Sequence, residues 1–140
     1  MPNPLLDNDF VDRVPKIISP TTHGVIDYLV VGYYFITAGA CWEDNKRASI
    51  TALANGAAVL GLSMFTDYWG DGRKPISFET HGKVDPGVSA LVASLPNLLG
   101  FSDERESKLF QGIGIGLAAV RSLTKFDEGS SNLETRRRAA

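Results

Sequence analysis

The sequence predicts an all-α protein, a four-helix bundle made by tandem duplication of one helical hairpin. Residues 18–27 align without a gap on residues 76–85, which follow 58 positions later, and both segments contain Thr-His-Gly and end in aspartate. Four apolar stretches, two in each copy, are separated by short charged turns. A unit that recurs at a fixed period is a supersecondary piece that cannot bury its apolar surface alone. The two copies therefore have to pack against each other.

The match continues through both helices of each copy. Further identical pairs at the same offset are Arg47 and Arg105, Gly56 and Gly114, and Thr66 and Thr124. We therefore divide the chain into a polar N-terminal segment (1–17), a four-helix domain (18–126) and a polar C-terminal tail (127–140) that we expect to be disordered. Within the domain, repeat 1 covers 18–71 and repeat 2 covers 76–126. A chain of 140 residues, 44% of them apolar, is long enough to form one domain with one hydrophobic core.

The first repeat is predicted to form a helix, a turn and a second helix. Its first helix is predicted over residues 25–42, and Thr22 is the expected N-cap because a threonine oxygen can accept an amide proton of the first turn. The segment 43–47 is charged and forms the turn. The second helix is predicted over residues 48–65, which contain no charged residue.

The second repeat follows the same plan. Its first helix is predicted over residues 84–101, with Thr80 as the expected N-cap and Asp85 as the only charged residue. The charged segment 102–106 occupies the position of the first hairpin turn. The last helix, residues 109–120, is shorter and richer in glycine.

The apolar stretches indicate a membrane protein. A spanning helix needs about 20 mainly apolar residues, and about 17 suffice. The first three helices meet this length and the fourth is marginal. Small residues recur four apart, as at Ala57 and Gly61, which permits close helix packing in lipid. A soluble bundle would instead carry a charged stripe along each helix, and residues 48–65 carry none.

The positions of the basic residues predict the orientation in the membrane. With four spans, the side that holds both termini and the central loop collects Arg13, Lys16, Arg73, Lys74, Lys83, Arg121, Lys125, Arg136, Arg137 and Arg138. The two hairpin turns hold Lys46, Arg47, Arg105 and Lys108. By the positive-inside rule this bias predicts a multi-pass protein of the inner, cytoplasmic membrane with both termini in the cytoplasm.

Three segments resemble the bacterial SPW-repeat family of small four-helix membrane proteins. They are Thr-His-Gly-Val-Ile-Asp-Tyr-Leu-Val at 22–30, Thr-Asp-Tyr at 66–68, and Thr-His-Gly-Lys-Val-Asp at 80–85. The resemblance covers 18–126. The Ser-Pro-Trp that names the family, followed there by Gly-Phe, is reduced to Pro96 and Gly100-Phe101 in the second repeat and is absent from the first. The resemblance implies a fold and a membrane location and supplies no activity.

Two histidine and aspartate pairs are the candidate site. His23 and Asp27, like His81 and Asp85, are four positions apart, which places each pair on one helix face. The first and third helices run the same way, so the pairs lie at one depth and can meet about a pseudo-two-fold axis. Such a cluster suits zinc or another transition metal, or two histidines can ligate a haem. The alternatives are structural hydrogen-bonded pairs at a helix start, and proton or substrate chemistry.

Composition and the remaining motifs exclude some functions. A net charge of -2 argues against nucleic-acid binding. The glycines at 112, 114 and 116 resemble a phosphate loop, but no strand precedes them and no Lys-Ser/Thr follows, so helix packing is the better interpretation. Cys41, the only cysteine, lies in an apolar run and is expected to be inert.

Three functional hypotheses follow. The first is a non-enzymatic scaffold or accessory subunit in the lipid bilayer, packing as a homo-oligomer or in a larger membrane complex. The second is a membrane protein that binds a metal ion or haem through His23, Asp27, His81 and Asp85. The third, suggested by a mean hydropathy of only -0.03, is a soluble four-helix module that binds an apolar ligand.

Overall fold

The computed structural model describes residues 14–126, 135 and 137–140. Four α-helices dominate this part of the chain: α1 (Pro20–Cys41), α2 (Lys46–Phe65), α3 (Phe78–Leu98) and α4 (Ser107–Leu123). The all-α prediction is confirmed. Two strands of two residues each, β1 (Thr66–Asp67) and β2 (Ile76–Ser77), pair in parallel between α2 and α3.

The predicted end segments fall largely outside the described residues. Of the polar N-terminal segment, residues 1–13 lie outside them, and of the tail 127–140 only residue 135 and residues 137–140 are described. Disorder of the tail therefore stays a prediction.

The helices α1 and α3 begin earlier than predicted, and their N-caps are Ser19 and Ser77 rather than Thr22 and Thr80. The Ser19 hydroxyl accepts the Thr22 N–H at 3.2 Å, and the Ser77 hydroxyl accepts the Thr80 N–H at 3.1 Å. Serine is a strong N-cap, and in α1 a proline directly after it presets the helical φ angle. Both histidines consequently lie inside the helix rather than before it.

Each repeat folds into a hairpin, and one apolar core joins the two hairpins. α1 packs along α2 and α3 along α4. The core between them contains Tyr34 and Ala48 from the first hairpin and Val92, Phe101 and Phe110 from the second, all at most 1% exposed. Burial of these side chains holds the hairpins together.

Polar contacts join the two hairpin turns at one end of the molecule. The Asn45 side chain accepts the Ala48 N–H as the N-cap of α2, and its amide group donates to Glu104 and Glu106. The Arg47 guanidinium donates to the carbonyl of Gly100 at 3.1 Å. These contacts hold the hairpin turns of the two repeats side by side.

At the opposite end of the molecule, the end of each repeat pairs with the residues that precede the first helix of the other repeat. Thr66, after α2, pairs in parallel with Ile76, which precedes α3. Thr124, after α4, forms the equivalent parallel bridge with Ile18, which precedes α1. The end of each repeat is thereby fixed over the first turns of the other.

Two helices are long and apolar enough to cross a membrane. Among the described residues these are α1 and α2, with mean hydropathies of 1.4 and 1.5 over their most apolar windows. The core helix of a soluble protein can have the same length and composition. The third helix was expected to qualify as well, but Glu79, Lys83 and Asp85 make its first turns polar. The fourth has 17 residues.

Close packing of α3 on α4 depends on Gly114. A β-carbon at this position would lie 2.8 Å from the Ala93 side chain and 3.0 Å from backbone atoms of Ala93 and Ser89. Gly116, in the same helix, has open space around it. We expect Gly114→Ala to destabilise the protein by about 1–3 kcal/mol through overpacking. Gly116→Ala should stabilise it by about 0.5–1 kcal/mol, the ordinary helix effect.

Unfolding in detergent, followed by circular dichroism, measures both glycine variants side by side. Equal effects of the two substitutions would contradict the packing of α3 on α4 described above.

Candidate metal centre

The four predicted site residues come together in one closed ring. His23 Nε2 lies 3.5 Å from Asp27 Oδ1 and 3.4 Å from Asp85 Oδ2. His81 Nε2 lies 3.2 Å from Asp27 Oδ2 and 3.1 Å from Asp85 Oδ1. Each carboxylate therefore touches both imidazoles, one from its own helix and one from the other repeat. The histidine side chains are 2% and 3% exposed, so the ring is inside the protein.

Two threonines determine which nitrogen of each imidazole faces the ring. Thr124 Oγ1 lies 2.8 Å from His23 Nδ1, and Thr66 Oγ1 lies 3.0 Å from His81 Nδ1. Each threonine hydroxyl also donates its single proton to a carbonyl four residues earlier, at 2.6 Å and 2.7 Å. The threonine oxygen can therefore only accept a hydrogen bond from the imidazole. This network assigns the proton to Nδ1 in both histidines and turns Nε2 toward the carboxylates.

A tyrosine outside the two pairs holds one of the carboxylates. The Tyr68 hydroxyl donates to Asp27 Oδ2 at 2.6 Å. Burial raises the pKa of the Tyr68 phenol, and the neighbouring Asp27 carboxylate raises this pKa further. Tyr68 therefore stays protonated and acts as a donor.

Aromatic side chains cover the ring of histidines and aspartates on the side of the helix starts. The centroids of the Phe78 and Phe126 side chains lie 5.3 Å and 5.7 Å from the centroid of the His23 imidazole. The Tyr68 centroid lies 5.6 Å from that of the His81 imidazole. Phe78 is 2% exposed and Tyr68 is 6% exposed. The centre is thus separated from bulk water in this direction.

The electrostatics of the ring require positive charge at its centre. With Nδ1 protonated and Nε2 bare, each imidazole would point a lone pair at two carboxylate oxygens, which is repulsive. Two arrangements remove this repulsion: a second proton on each imidazole, or a cation bound to the Nε2 and carboxylate atoms. Both neutralise the two buried carboxylates, as burial of charge demands.

The atoms have the spacing of a metal site. One ligand atom from each of His23, Asp27 and His81 lies within 4.8 Å of the others. The four nitrogen to oxygen distances of 3.1–3.5 Å involve both oxygens of each carboxylate. A single ion would take one oxygen of Asp27 and the Nε2 atoms of the two histidines. The threonine hydrogen bonds to Nδ1 would hold both imidazoles in the orientation that a metal ion needs.

A haem fits this ring poorly. The two imidazole centroids are 5.3 Å apart and the rings are nearly perpendicular. The cavity beside the ring, lined by Asp27, His81 and Asp85, has a volume of about 20 Å³. A porphyrin needs many times that volume, whereas a single ion does not.

Other residues noted in the sequence have structural positions in the fold. The glycines of the false phosphate loop are within α4. Asp67 accepts the N–H groups of Asp71 and Gly72 and so shapes the connector between the repeats. Cys41 is buried in the core.

Sequence reasoning missed Thr66, Thr124 and Tyr68 as parts of the site. The two threonines align at the repeat offset, at the ends of the second and fourth helices, and that match was the available signal. Tyr68 had no such signal, because the equivalent position in the second repeat is Phe126.

Comparisons of the chain with protein-family models, with curated proteins and with solved structures gave no match. Membership of the SPW-repeat family therefore stays a proposal carried by the motif residues.

Removing the Tyr68 hydroxyl tests its role in the ring. Tyr68→Phe keeps the aromatic wall, and phenylalanine already occupies the equivalent position in the second repeat. We expect a loss of about 1.5–3 kcal/mol in unfolding free energy, the range for a hydrogen bond to a charged group. Tyr33→Phe is the control, because the Tyr33 hydroxyl donates at 3.1 Å to a neutral carbonyl. A loss for Tyr68→Phe no larger than for the control would contradict the role of this bond.

Proposed function

We propose that the protein is an integral membrane protein of the SPW-repeat type whose four helices form a bundle around one transition-metal ion of the zinc class. His23, Asp27 and His81 supply ligand atoms, and Asp85 completes the charge balance from the opposite side of the ring. Both termini face the cytoplasm, and the metal lies near that end of the bundle.

One observation carries the metal proposal: both histidines have Nδ1 committed to a threonine and Nε2 directed at carboxylates. In this tautomer a neutral imidazole has its lone pair on Nε2, the nitrogen that faces the centre of the ring and can bind a metal ion. Nitrogen and carboxylate oxygen together favour zinc and its neighbours over calcium or magnesium. The ion would also neutralise both carboxylates without a proton on either imidazole.

The outer surface of the helices supports the membrane location. In α1 and α2 the apolar windows are only 44% and 39% buried, whereas a core helix of a soluble protein is mostly buried. Large apolar side chains that are more than half exposed occur on all four helices. They are Val25, Leu29, Ile36, Ile50, Met64, Phe65, Leu91, Leu98 and Ile115. An extended apolar exterior of this kind is matched by lipid and not by water.

Charge placement supports the same conclusion. The buried ring contains the charged groups of the helix interiors, and the remaining charged residues lie near the helix ends and in the turns. From Ala48 to Phe65 the exterior of α2 carries no charge at all. Ionisable residues inside a span characteristically face the interior of a bundle, as His23 and Asp27 do.

Metal analysis of the purified protein tests the proposed function. The chain contains two histidines, both in the ring, so the affinity tag should contain none. We expect protein extracted gently in detergent to carry about one zinc-class ion per chain, or to take it up on titration with Zn²⁺ or Co²⁺. The double variant His23→Ala/His81→Ala should bind no stoichiometric metal. Glu79→Gln, an exposed acid near His81 on α3, should bind as the wild type does.

A metal-free protein that takes up neither ion would overturn the metal proposal. The ring would then be a pair of imidazolium and carboxylate contacts that joins the two hairpins, and a scaffold or accessory subunit would be the better description.

Extraction tests the membrane location separately. Washing membranes with alkaline carbonate releases peripheral and soluble proteins and leaves spanning proteins in the pellet. We expect the protein and the double histidine variant to remain in the pellet equally. Release into the supernatant would contradict four spans and favour a soluble module that binds an apolar ligand.

A further inference from the structure

One side of the ring is not filled by protein atoms. The cavity of about 20 Å³ is lined by the polar residues Asp27, His81, Asp85 and Ser89 and by apolar side chains of α2, α3 and α4. A water molecule needs about 10–15 Å³ of such volume and two to four polar partners. The space therefore suits one water molecule or one small anion.

An unpartnered hydroxyl lines this cavity. Ser89 is 5% exposed, and its Oγ has no hydrogen-bond partner within the described part of the chain. A buried hydroxyl without a partner costs about 1–3 kcal/mol, so native proteins rarely keep one. The Ser89 hydroxyl is thus available to hydrogen-bond a small polar molecule in the cavity.

The cavity breaks the pseudo-symmetry of the repeats. Ser89 occupies the position that Val31 occupies in the first repeat, 58 residues earlier, and Val31 is buried. His81 lines the cavity but His23 does not. Beside its half of the ring, the second repeat therefore has a smaller, polar side chain where the first repeat has valine.

We infer that the metal centre is an open site, in which one coordination position faces this cavity and takes a small exogenous ligand. This inference rests on the proposed function. Three protein ligands and a fourth, solvent-derived ligand are the pattern of zinc sites that exchange ligands, whereas purely structural zinc sites use four protein ligands. The ligand class is water, hydroxide or a small monodentate anion. The Ser89 hydroxyl can donate a hydrogen bond to any of these ligands, and the Asp85 carboxylate can accept one from water or hydroxide.

Cobalt spectroscopy with azide tests the open position. Co²⁺ replaces zinc and gives visible absorption bands that respond to its ligands. We expect sodium azide to shift these bands in the wild-type protein in a saturable way. Ser89→Val, the residue of the first repeat, should keep Co²⁺ binding and weaken azide binding about tenfold or more by filling the space. Ser89→Ala keeps the space and should weaken azide binding about fivefold, the value of one hydrogen bond.

The outcomes distinguish failure of the open coordination position from failure of the metal site. If Co²⁺ binds but azide leaves the wild-type spectrum unchanged, the centre is closed and the inference is wrong, while the metal site stands. An azide response in Ser89→Val equal to that of the wild type would place the ligand elsewhere and also overturn it. Loss of Co²⁺ binding in Ser89→Val would show that the cavity holds the ion rather than its exogenous ligand, and would overturn the open position. Failure of the wild type to bind Co²⁺ would overturn both.

Discussion

Replacing Asp27 with asparagine is expected to destabilise the metal-free protein by about 3–5 kcal/mol, the cost of removing one partner from a buried ion-pair network. Asp27 contacts both imidazoles and accepts the Tyr68 hydroxyl, and its side chain is 6% exposed. The neutral amide keeps the shape of the side chain and removes the charge that the imidazoles face. The loss is measured by unfolding in detergent with a chelator present, so that metal release does not contribute.

Two controls bracket the Asp27→Asn result. Asp85→Asn removes the other carboxylate, which is 15% exposed and receives no tyrosine hydrogen bond among the described contacts, so its effect should be smaller. Glu79→Gln removes the exposed ion pair with Lys83, and we expect a change below about 1 kcal/mol. An effect of Asp27→Asn as small as that of Glu79→Gln would mean that the ring contributes little to the joining of the hairpins.

The double variant Thr66→Val/Thr124→Val is expected to weaken metal binding strongly while leaving every proposed ligand in place. Valine is close to threonine in shape but cannot accept the Nδ1 proton, so neither imidazole is fixed in the tautomer that aims Nε2 at the ring. Loss of one hydrogen-bond partner of a metal-bound histidine costs about 10–100-fold in metal affinity, so the two together should cost about 10²–10⁴-fold if they act independently. Competition with a chromophoric chelator measures the dissociation constant for Zn²⁺.

Thr51→Val provides the matched control for the threonine variants. Thr51 is also buried and donates to the carbonyl four residues earlier at 2.7 Å, but it does not contact the ring. It should change stability slightly and metal affinity not at all. Equal metal affinity in the double threonine variant and in the control would show that Thr66 and Thr124 do not orient the imidazoles for metal binding.

A large part of the fold was predictable from local sequence. The repeat offset and the four apolar stretches predicted two hairpins and placed all four helices, because helix formation depends mainly on residues close in the chain. The predicted starts of α1 and α3 are late, because the serine three residues before each threonine is the N-cap. That difference matters because it determines that His23 and His81 lie within the helices.

Of the candidate site, the sequence predicted the two histidines and the two aspartates but not the threonines and the tyrosine around them. Spacing of four positions placed each histidine beside its own aspartate, and the repeat implied that the two pairs lie at the same depth. The cross-repeat contacts of His23 with Asp85 and of His81 with Asp27 depend on the distance and rotation between α1 and α3. No local pattern encodes those two quantities.

The sequence alone determined a duplicated helical hairpin and two histidine and aspartate pairs, because each is a short-range pattern repeated at one offset. Only the tertiary structure decided what surrounds those pairs. His23 meets Thr124 across 101 positions, and Asp27 meets Tyr68 across 41. These contacts exist because the end of each repeat is held over the start of the other. The same packing leaves a cavity at Ser89, where the second repeat has a smaller side chain than the first, so the asymmetry of the site also arises only in the folded protein.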